Sequence, residues 1–103
     1  MNYRRVIETI VNKQLDTIGP LARGPAEELD VLEFQDDQLK FTGEPSREDV
    51  EELLENYRET QGKSAIGIAR RAVDEIVDDD TDIDLPDEIT PKKMKAEEFA
   101  SAL

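Results

Sequence analysis

The chain lacks cysteine and histidine entirely. It can therefore form no disulfide, no Ser–His or Cys–His nucleophile pair and no ordinary zinc site. Catalysis would have to rely on carboxylates, lysine, tyrosine or serine. Acid pairs such as Glu27-Glu28 and Glu51-Glu52 are frequent, but the side chains of adjacent residues diverge on a helix. We therefore predict no catalytic, cofactor-binding or metal-binding residues and no enzymatic activity.

Long apolar runs and aromatic residues are also scarce. Aromatics make up 5% of the 103 residues, and tryptophan is absent. No run approaches the roughly 18 apolar residues that suggest a membrane-spanning helix. The first residues, Met-Asn-Tyr-Arg-Arg, lead directly into an amphipathic pattern and lack the apolar region of a signal peptide. These features predict one domain with a modest aliphatic core, no membrane association and a cytoplasmic location.

Basic residues are few. There are 13 lysines and arginines against 26 aspartates and glutamates, and the formal net charge is −13. A chain this acidic repels nucleic acids and anionic membranes unless its cations are clustered. In composition it resembles, over its whole length, the small acidic cytosolic proteins of salt-loving archaea. The resemblance implies that surface carboxylates maintain hydration in concentrated salt, and it implies no particular activity.

The strongest periodicity lies in two helices predicted over residues 46–61 and 64–77. Ser46 can cap the first helix, with Asp49 three residues further on. Gly62 offers a left-handed position where that helix ends. The second helix is apolar over a band wider than one packing face, so we expect it to be the central helix. The apolar positions of the pair are Val50, Leu53, Leu54 and Tyr57, then Ala65, Ile66, Ile68, Ala69, Ala72, Val73, Ile76 and Val77.

Upstream of this pair, apolar residues at helical spacing predict a helix over residues 2–18. Gly19-Pro20 should end it, because proline lacks a donor and restricts the residue before it. A short helix near residues 25–30 could begin with Pro25 in its first position.

From Val31 the apolar period changes to two, which predicts a β-hairpin over residues 31–42. Asp36-Asp37 is an acceptable turn. With those residues in the turn, the facing pairs all agree with one register: Phe34 with Leu39, Leu32 with Phe41, and Glu33 with Lys40. A two-stranded hairpin is only marginally stable alone, so we expect its Leu/Phe face to pack on helices.

The stretch after Val77 reads DDDTDIDLPDE, in which seven of eleven residues are acidic. Such a block is normally solvated, extended and poorly ordered. Thr90-Pro91 then favours a weak final helix over residues 91–102.

These elements predict an α+β fold, mostly helical, in which amphipathic helices pack with one β-hairpin and a flexible acidic C-terminal segment follows. Residues 1–77 would form the compact helix–hairpin–helix–helix domain, and residues 78–103 an acidic linker with a weak C-terminal helix. Deleting the second part should cost no more than about 1–2 kcal/mol of stability.

Four basic residues around the helix pair are candidate contacts to a partner or to nucleic acid: Arg58, Lys63, Arg70 and Arg71. A helix-turn-helix protein reads DNA with its second helix, and these residues lie on or beside that helix or the one before it. Against this, Arg70 and Arg71 lie six and seven residues past Ser64, whereas base contacts come from the first turns. The simpler alternative is that Arg70 and Arg71 form ion pairs with neighbouring carboxylates.

One group of aspartates has part of the spacing of a calcium-binding loop. Asp78, Asp80 and Asp82 resemble the start of a calcium loop. That loop would need glycine at the position of Ile83 and a bidentate glutamate at the position of Ile89. We therefore predict no formed calcium site.

The excess apolar surface on residues 65–77 is the remaining clue to function. Helix 2–18 and the hairpin could cover it, or a second copy could, since two-fold dimers are the commonest assembly. We therefore predict a small non-enzymatic interaction or regulatory module adapted to high salt, with a protein partner or with itself in a homodimer. The alternative is a helix-turn-helix DNA-binding, transcription-associated protein, which the net charge disfavours.

Overall fold

The computed structural model describes residues 2–78 and 81–91. The fold is α+β and mostly helical, with one antiparallel hairpin, as predicted. Among the described residues no helix has the length and apolarity needed to cross a bilayer. In chain order the elements are α1 (Tyr3–Ile18), a 3-10 turn (Gly19–Ala22), α2 (Arg23–Glu27), β1 (Leu32–Gln35), β2 (Gln38–Phe41), α3 (Arg47–Gln61), α4 (Ser64–Ile76) and a second 3-10 turn (Asp87–Ile89).

Helix α1 begins and ends where its sequence indicates. The Asn2 side chain accepts a hydrogen bond from the Arg5 backbone N–H at 3.0 Å, which caps the first turn. Gly19 ends the helix at φ 73° and ψ −152°, a backbone region that is essentially restricted to glycine. The helix predicted to end at Gly19-Pro20 is therefore confirmed.

The short second helix begins earlier than predicted. We expected residues 25–30 with Pro25 in the first position, whereas α2 spans Arg23–Glu27 and Pro25 is its third residue. The chain is already in a 3-10 turn from Gly19, with Pro20 near its start. Helical geometry therefore continues into α2, and Pro25 still lies in the first turn, where its missing N–H has no intrahelical partner to lose.

The hairpin has the predicted register. Leu32 faces Phe41, Glu33 faces Lys40 and Phe34 faces Leu39. Asp36 and Asp37 form the turn with φ values of 52° and 66°, which match the two positive values of a type I′ turn. Aspartate tolerates this region better than most residues, so the Asp-Asp pair can take the place of the more usual Asn-Gly.

Helices α3 and α4 form the predicted pair. The Ser46 backbone N–H donates to the Asp49 carboxylate at 2.8 Å at the start of α3, and Gly62 ends it at φ 73° and ψ −154°. Helix α4 is central, because it packs against α1, α3 and the second 3-10 turn. Its small residues allow this close approach. The buried residues of the pair are Val50, Leu53, Leu54, Tyr57, Ala65, Ala69, Ala72 and Val73.

Residues 81–91, which we call the C-terminal strap, differ from the sequence-based expectation of a solvated segment. Leu85 is 4% exposed and Ile89 is fully buried, and both belong to the hydrophobic core. The acidic residues alternate with these apolar ones, so one side of the strap packs on the helices. Asp79, Asp80 and the helix predicted over residues 91–102 lie outside the described residues, apart from Pro91, which is buried.

Polar contacts hold the strap as well. The Tyr3 hydroxyl donates to the Asp84 carbonyl oxygen at 2.8 Å. The Arg70 guanidinium donates to the Glu88 carbonyl oxygen through Nε at 3.1 Å and Nη2 at 2.9 Å. Arg47 lies 3.3 Å from the Asp84 carboxylate. The strap therefore covers part of the surface of α4 that the sequence left unassigned.

Candidate interaction surfaces

The four predicted basic contact residues do not form one patch. Arg58 pairs with the Glu88 carboxylate and, at 3.2 Å, with Glu55. Arg70 is bound to the carbonyl oxygen of the same Glu88. Lys63 and Arg71 are exposed, the first at the junction of α3 and α4 and the second on α4. The structure thus brings Arg58 and Arg70 together around the strap and leaves Lys63 and Arg71 outside that cluster.

Helix α4 offers a limited outer face. It is covered by α1, α3 and the strap, and its exposed positions carry both signs of charge, with Asp74 and Glu75 beside Arg70 and Arg71. Glu75 pairs with Lys13 of α1 at 2.7 Å. A phosphate backbone approaching this face would meet carboxylates as well as arginines, which opposes binding.

A second surface is an acidic groove of about 690 Å³ between α3 and the strap. Among residues 2–78 and 81–91, no group of three or more aspartates or glutamates is placed to hold a metal ion. Seven of its eight lining residues are charged, so the groove has the character of a hydrated surface. It is lined by Arg47, Glu48, Glu51, Glu52, Glu55, Pro86, Asp87 and Glu88.

A third surface, which the sequence analysis missed, surrounds Leu21. Leu21 is 72% exposed, and in the chain it lies between Pro20 and Arg23, two of the residues that line a groove of about 370 Å³. The groove lies where α1 ends and the hairpin turn approaches. We call the whole area the Leu21 surface; it comprises Leu21 and the lining residues Leu15, Gly19, Pro20, Arg23, Phe34 and Asp37.

The polar rim of the Leu21 surface is held in place by Arg23. Its guanidinium lies 4.7 Å from the centre of the Phe34 ring and pairs with Asp37 at 2.7 Å and Glu27 at 3.6 Å. Stacking on an aromatic face and ion pairing each favour one orientation of the guanidinium. Among the residues that line the groove, Arg23 and Asp37 thus pair directly with each other, beside the apolar side chains of Leu15 and Phe34.

Helix α3 supports this surface from behind. The Tyr57 hydroxyl donates to the Ala22 carbonyl oxygen at 2.9 Å, and Asn56 Nδ2 donates to the Pro25 carbonyl oxygen at 3.1 Å. Burial raises the pKa of Tyr57 well above its ordinary value, because the charged phenolate would be desolvated. These two bonds attach the turn that contains Leu21, and the helix α2 that follows it, to α3.

The sequence contained a weak signal for Leu21. It follows a Gly-Pro pair just after a strongly amphipathic helix, where the helical pattern no longer dictates which side faces the core. An apolar residue at such a position can point either way.

Compared with protein-family models, curated proteins and solved structures, the chain matches none of them, so its function is argued from the geometry of these surfaces.

Proposed function

We propose that this protein is a cytoplasmic, non-enzymatic interaction module that works in concentrated salt and binds a protein partner through the Leu21 surface. The observation that carries the proposal is a 72% exposed leucine that directly follows Pro20, one of the residues lining a largely apolar groove, on a chain whose net charge is −13. Elsewhere the exposed positions are mostly charged or polar.

The distribution of apolar area supports this location. The surplus on residues 65–77 that motivated an interaction role is largely covered within the chain, because α1, α3 and the strap pack around α4. Leu21 has no such cover among the residues that the structure describes. Burying a leucine side chain fully contributes roughly 1.5–3 kcal/mol, and the anchored turn means that little order has to be imposed on binding.

The composition supports the salt environment. Exposed carboxylates lie on every helix from α1 to α4, where they hold water and keep the molecule apart from others at low ionic strength. In concentrated salt this repulsion is screened within about 3 Å. Short-range apolar contacts such as those of Leu21 then decide which surfaces associate.

A co-purification experiment tests the proposal. Immobilised wild-type chain, Leu21→Glu and Thr60→Glu are exposed to native cell extract in molar KCl, and the bound proteins are identified. Thr60 is exposed on α3 and does not line the groove, so Thr60→Glu adds the same charge as a matched control. We expect partners that bind the wild type and Thr60→Glu and are lost with Leu21→Glu.

Two results would contradict this function. One is an identical set of bound proteins for all three chains, which would mean that the Leu21 surface is not used. The other is turnover of a small substrate by the pure protein, which would replace the interaction role with an enzymatic one.

DNA binding stays the alternative prediction from the sequence, and the described residues add no observation that favours it. Arg58 and Arg70 are engaged by Glu88, so two of the four cations that motivated it face the strap. Fluorescence anisotropy with mixed duplex fragments at low and high salt checks it. Binding that falls steeply with salt would revive the helix-turn-helix interpretation.

A further inference from the structure

We propose that the C-terminal strap is a latch controlled by ionic strength. It is closed in concentrated salt and opens as a unit in dilute solution, while the helices stay folded. The inference concerns a different part of the molecule from the Leu21 surface, so it holds whether or not that surface binds a partner. Three features carry it: the way the strap is attached, the charges that face each other across the acidic groove, and the small number of cations that bridge them.

Side chains, rather than the backbone, attach the strap to the helices. Within residues 2–78 and 81–91, the backbone–backbone hydrogen bonds of the strap stay inside it or reach only Asp78; the Ile89 N–H, for example, donates to the Pro86 carbonyl oxygen at 3.1 Å. The helices reach the strap through side-chain donors such as Tyr3 and Arg70. Opening therefore breaks no backbone hydrogen bond of a helix or of the hairpin. Segments attached in this way belong to the part of a fold that opens locally.

Like charges face each other across the acidic groove between α3 and the strap. Arg47 is the one cation among the described residues that line it. Six carboxylates line it as well, four from α3 and two from the strap: Glu48, Glu51, Glu52, Glu55, Asp87 and Glu88. The groove has a volume of about 690 Å³, so these carboxylates face each other through solvent and repel over the screening length of that solvent.

Two arginines of α3 bridge the groove, and each is shared with a glutamate of its own helix. The four ion pairs are Arg47 with Asp84 and with Glu51, and Arg58 with Glu88 and with Glu55. Because each guanidinium serves a carboxylate on both walls, the two cations leave an excess of negative charge in the groove. Ion pairs between partly exposed side chains also contribute little each. At low ionic strength we therefore expect the repulsion across the groove to exceed the attraction.

Salt reverses this relation. Charges act over about 30 Å at 0.01 M and over about 3 Å at 1 M, so concentrated salt removes the repulsion between the two walls. The contacts of the buried Leu85 and Ile89 are apolar and keep their strength. Opening in dilute solution exposes the side of α4 on which the second 3-10 turn packs, and it releases Arg58 and Arg70 from Glu88. The latch thus makes this surface accessible at low ionic strength and covers it at high ionic strength.

Native-state hydrogen exchange of the full chain, followed by NMR at about 0.05 and 2 M KCl, tests the inference. The Ile89 and Thr90 amides report on the strap, because they donate within its 3-10 turn, and a turn this short does not persist once undocked. The amides of the buried Ala72 and Val73 report on α4. In the dilute buffer we expect the strap amides to exchange at least about tenfold faster than the α4 amides. In the concentrated salt, relative to an unstructured peptide, their exchange should slow by about tenfold or more.

Two matched charge reversals separate the groove from the net charge. Glu52 and Glu59 are both exposed on α3, and of the two Glu52 lines the groove. Glu52→Lys and Glu59→Lys change the net charge equally, but Glu52→Lys alone places an ammonium group opposite the acids of the strap. In dilute buffer Glu52→Lys should slow strap exchange by roughly tenfold, and Glu59→Lys should leave it close to the wild type. Circular dichroism checks that both variants are folded.

Three results would overturn the latch. The first is strap amides that exchange as slowly as those of α4 at both salt concentrations, since the strap would then open only when the whole molecule unfolds. The second is strap exchange that does not depend on salt. The third is an equal effect of Glu52→Lys and Glu59→Lys, which would assign the response to the net charge instead of the groove. None of these results bears on the Leu21 surface, which the co-purification with Leu21→Glu tests separately.

Discussion

Among single residues, Tyr57 connects the helix pair to the turn that carries Leu21. Its side chain on α3 is fully buried, and its hydroxyl donates to the Ala22 carbonyl oxygen of the first 3-10 turn at 2.9 Å. Replacing it with phenylalanine keeps most of the packing and leaves that buried oxygen without its partner. We expect Tyr57→Phe to lower the free energy of unfolding by about 1–3 kcal/mol in urea denaturation.

The same hydroxyl predicts a dependence on pH. Burial raises the pKa of Tyr57 above its ordinary value of 10.0, so the folded chain holds this proton more tightly than the unfolded chain does. This contribution is complete below pH 10 and is lost as the pH rises beyond it, because the unfolded state then releases its proton first. Between about pH 10 and 11 the wild type should lose up to about 1.4 kcal/mol per pH unit more than Tyr57→Phe. Parallel curves for the two chains would contradict the burial argument.

At the scale of elements, two glycines with opposite roles give a matched pair. Gly62 ends α3 at φ 73° and ψ −154°, where an added Cβ is strained whatever the space around it. Gly67 lies inside α4 with nothing within 4 Å of an added Cβ. We expect Gly62→Ala to destabilise by about 1–3 kcal/mol and Gly67→Ala to stabilise by about 0.5–1 kcal/mol. Thermal unfolding of both variants checks the pair, and equal shifts would contradict it.

The burial of the C-terminal strap raises the stability cost that we expect from its removal. Deleting residues 78–103 was expected to cost little, but Leu85 and Ile89 belong to the core. Ile89→Ala should therefore lower the free energy of unfolding by about 2–5 kcal/mol. Ile83 is half-buried at the edge of the same segment, so Ile83→Ala is the control and should cost clearly less. If Ile89→Ala costs no more than the control, the strap does not contribute to the core.

The elements that could be predicted are those that depend on local chemistry. The caps at Ser46 and Gly62 and the register of the hairpin follow from turn residues and from periods of two and 3.6, and the structure has them. The strap could not be predicted, because its spacing of Leu85 and Ile89 among acids resembles a disordered segment. Its position depends on donors that are distant in sequence, such as Tyr3 and Arg70.

The candidate site was predictable to a smaller degree. Basic residues can be identified in a sequence, but their partners cannot, so the engagement of Arg58 and Arg70 by Glu88 is visible only in the fold. For Leu21, the property that the sequence does not reveal is its exposure. Periodicity tells which side of a helix is buried, and it gives no such information for a residue in the turn that follows.

At the scale of the whole molecule, stability should depend on salt because of the charge excess. With 26 acidic and 13 basic residues, repulsive pairs outnumber attractive ones, and screening relieves the repulsion. Salt also weakens ion pairs such as Arg47 with Asp84, but pairs this exposed contribute only about 0–1 kcal/mol each. We therefore expect the thermal midpoint, followed by circular dichroism, to rise between about 0.05 and 2 M KCl.

Removing charge should imitate the effect of salt. Glu52 and Glu59 are exposed on α3, so replacing both with glutamine lowers the repulsion without touching the core. In dilute buffer this double variant should unfold at a higher temperature than the wild type, and its midpoint should rise less on adding KCl. At molar salt the two midpoints should converge, since the charges that distinguish them are then screened. A wild-type midpoint that stays flat over the whole range would mean that net repulsion does not limit the stability of this fold, and the salt adaptation that its composition implies would have no physical basis.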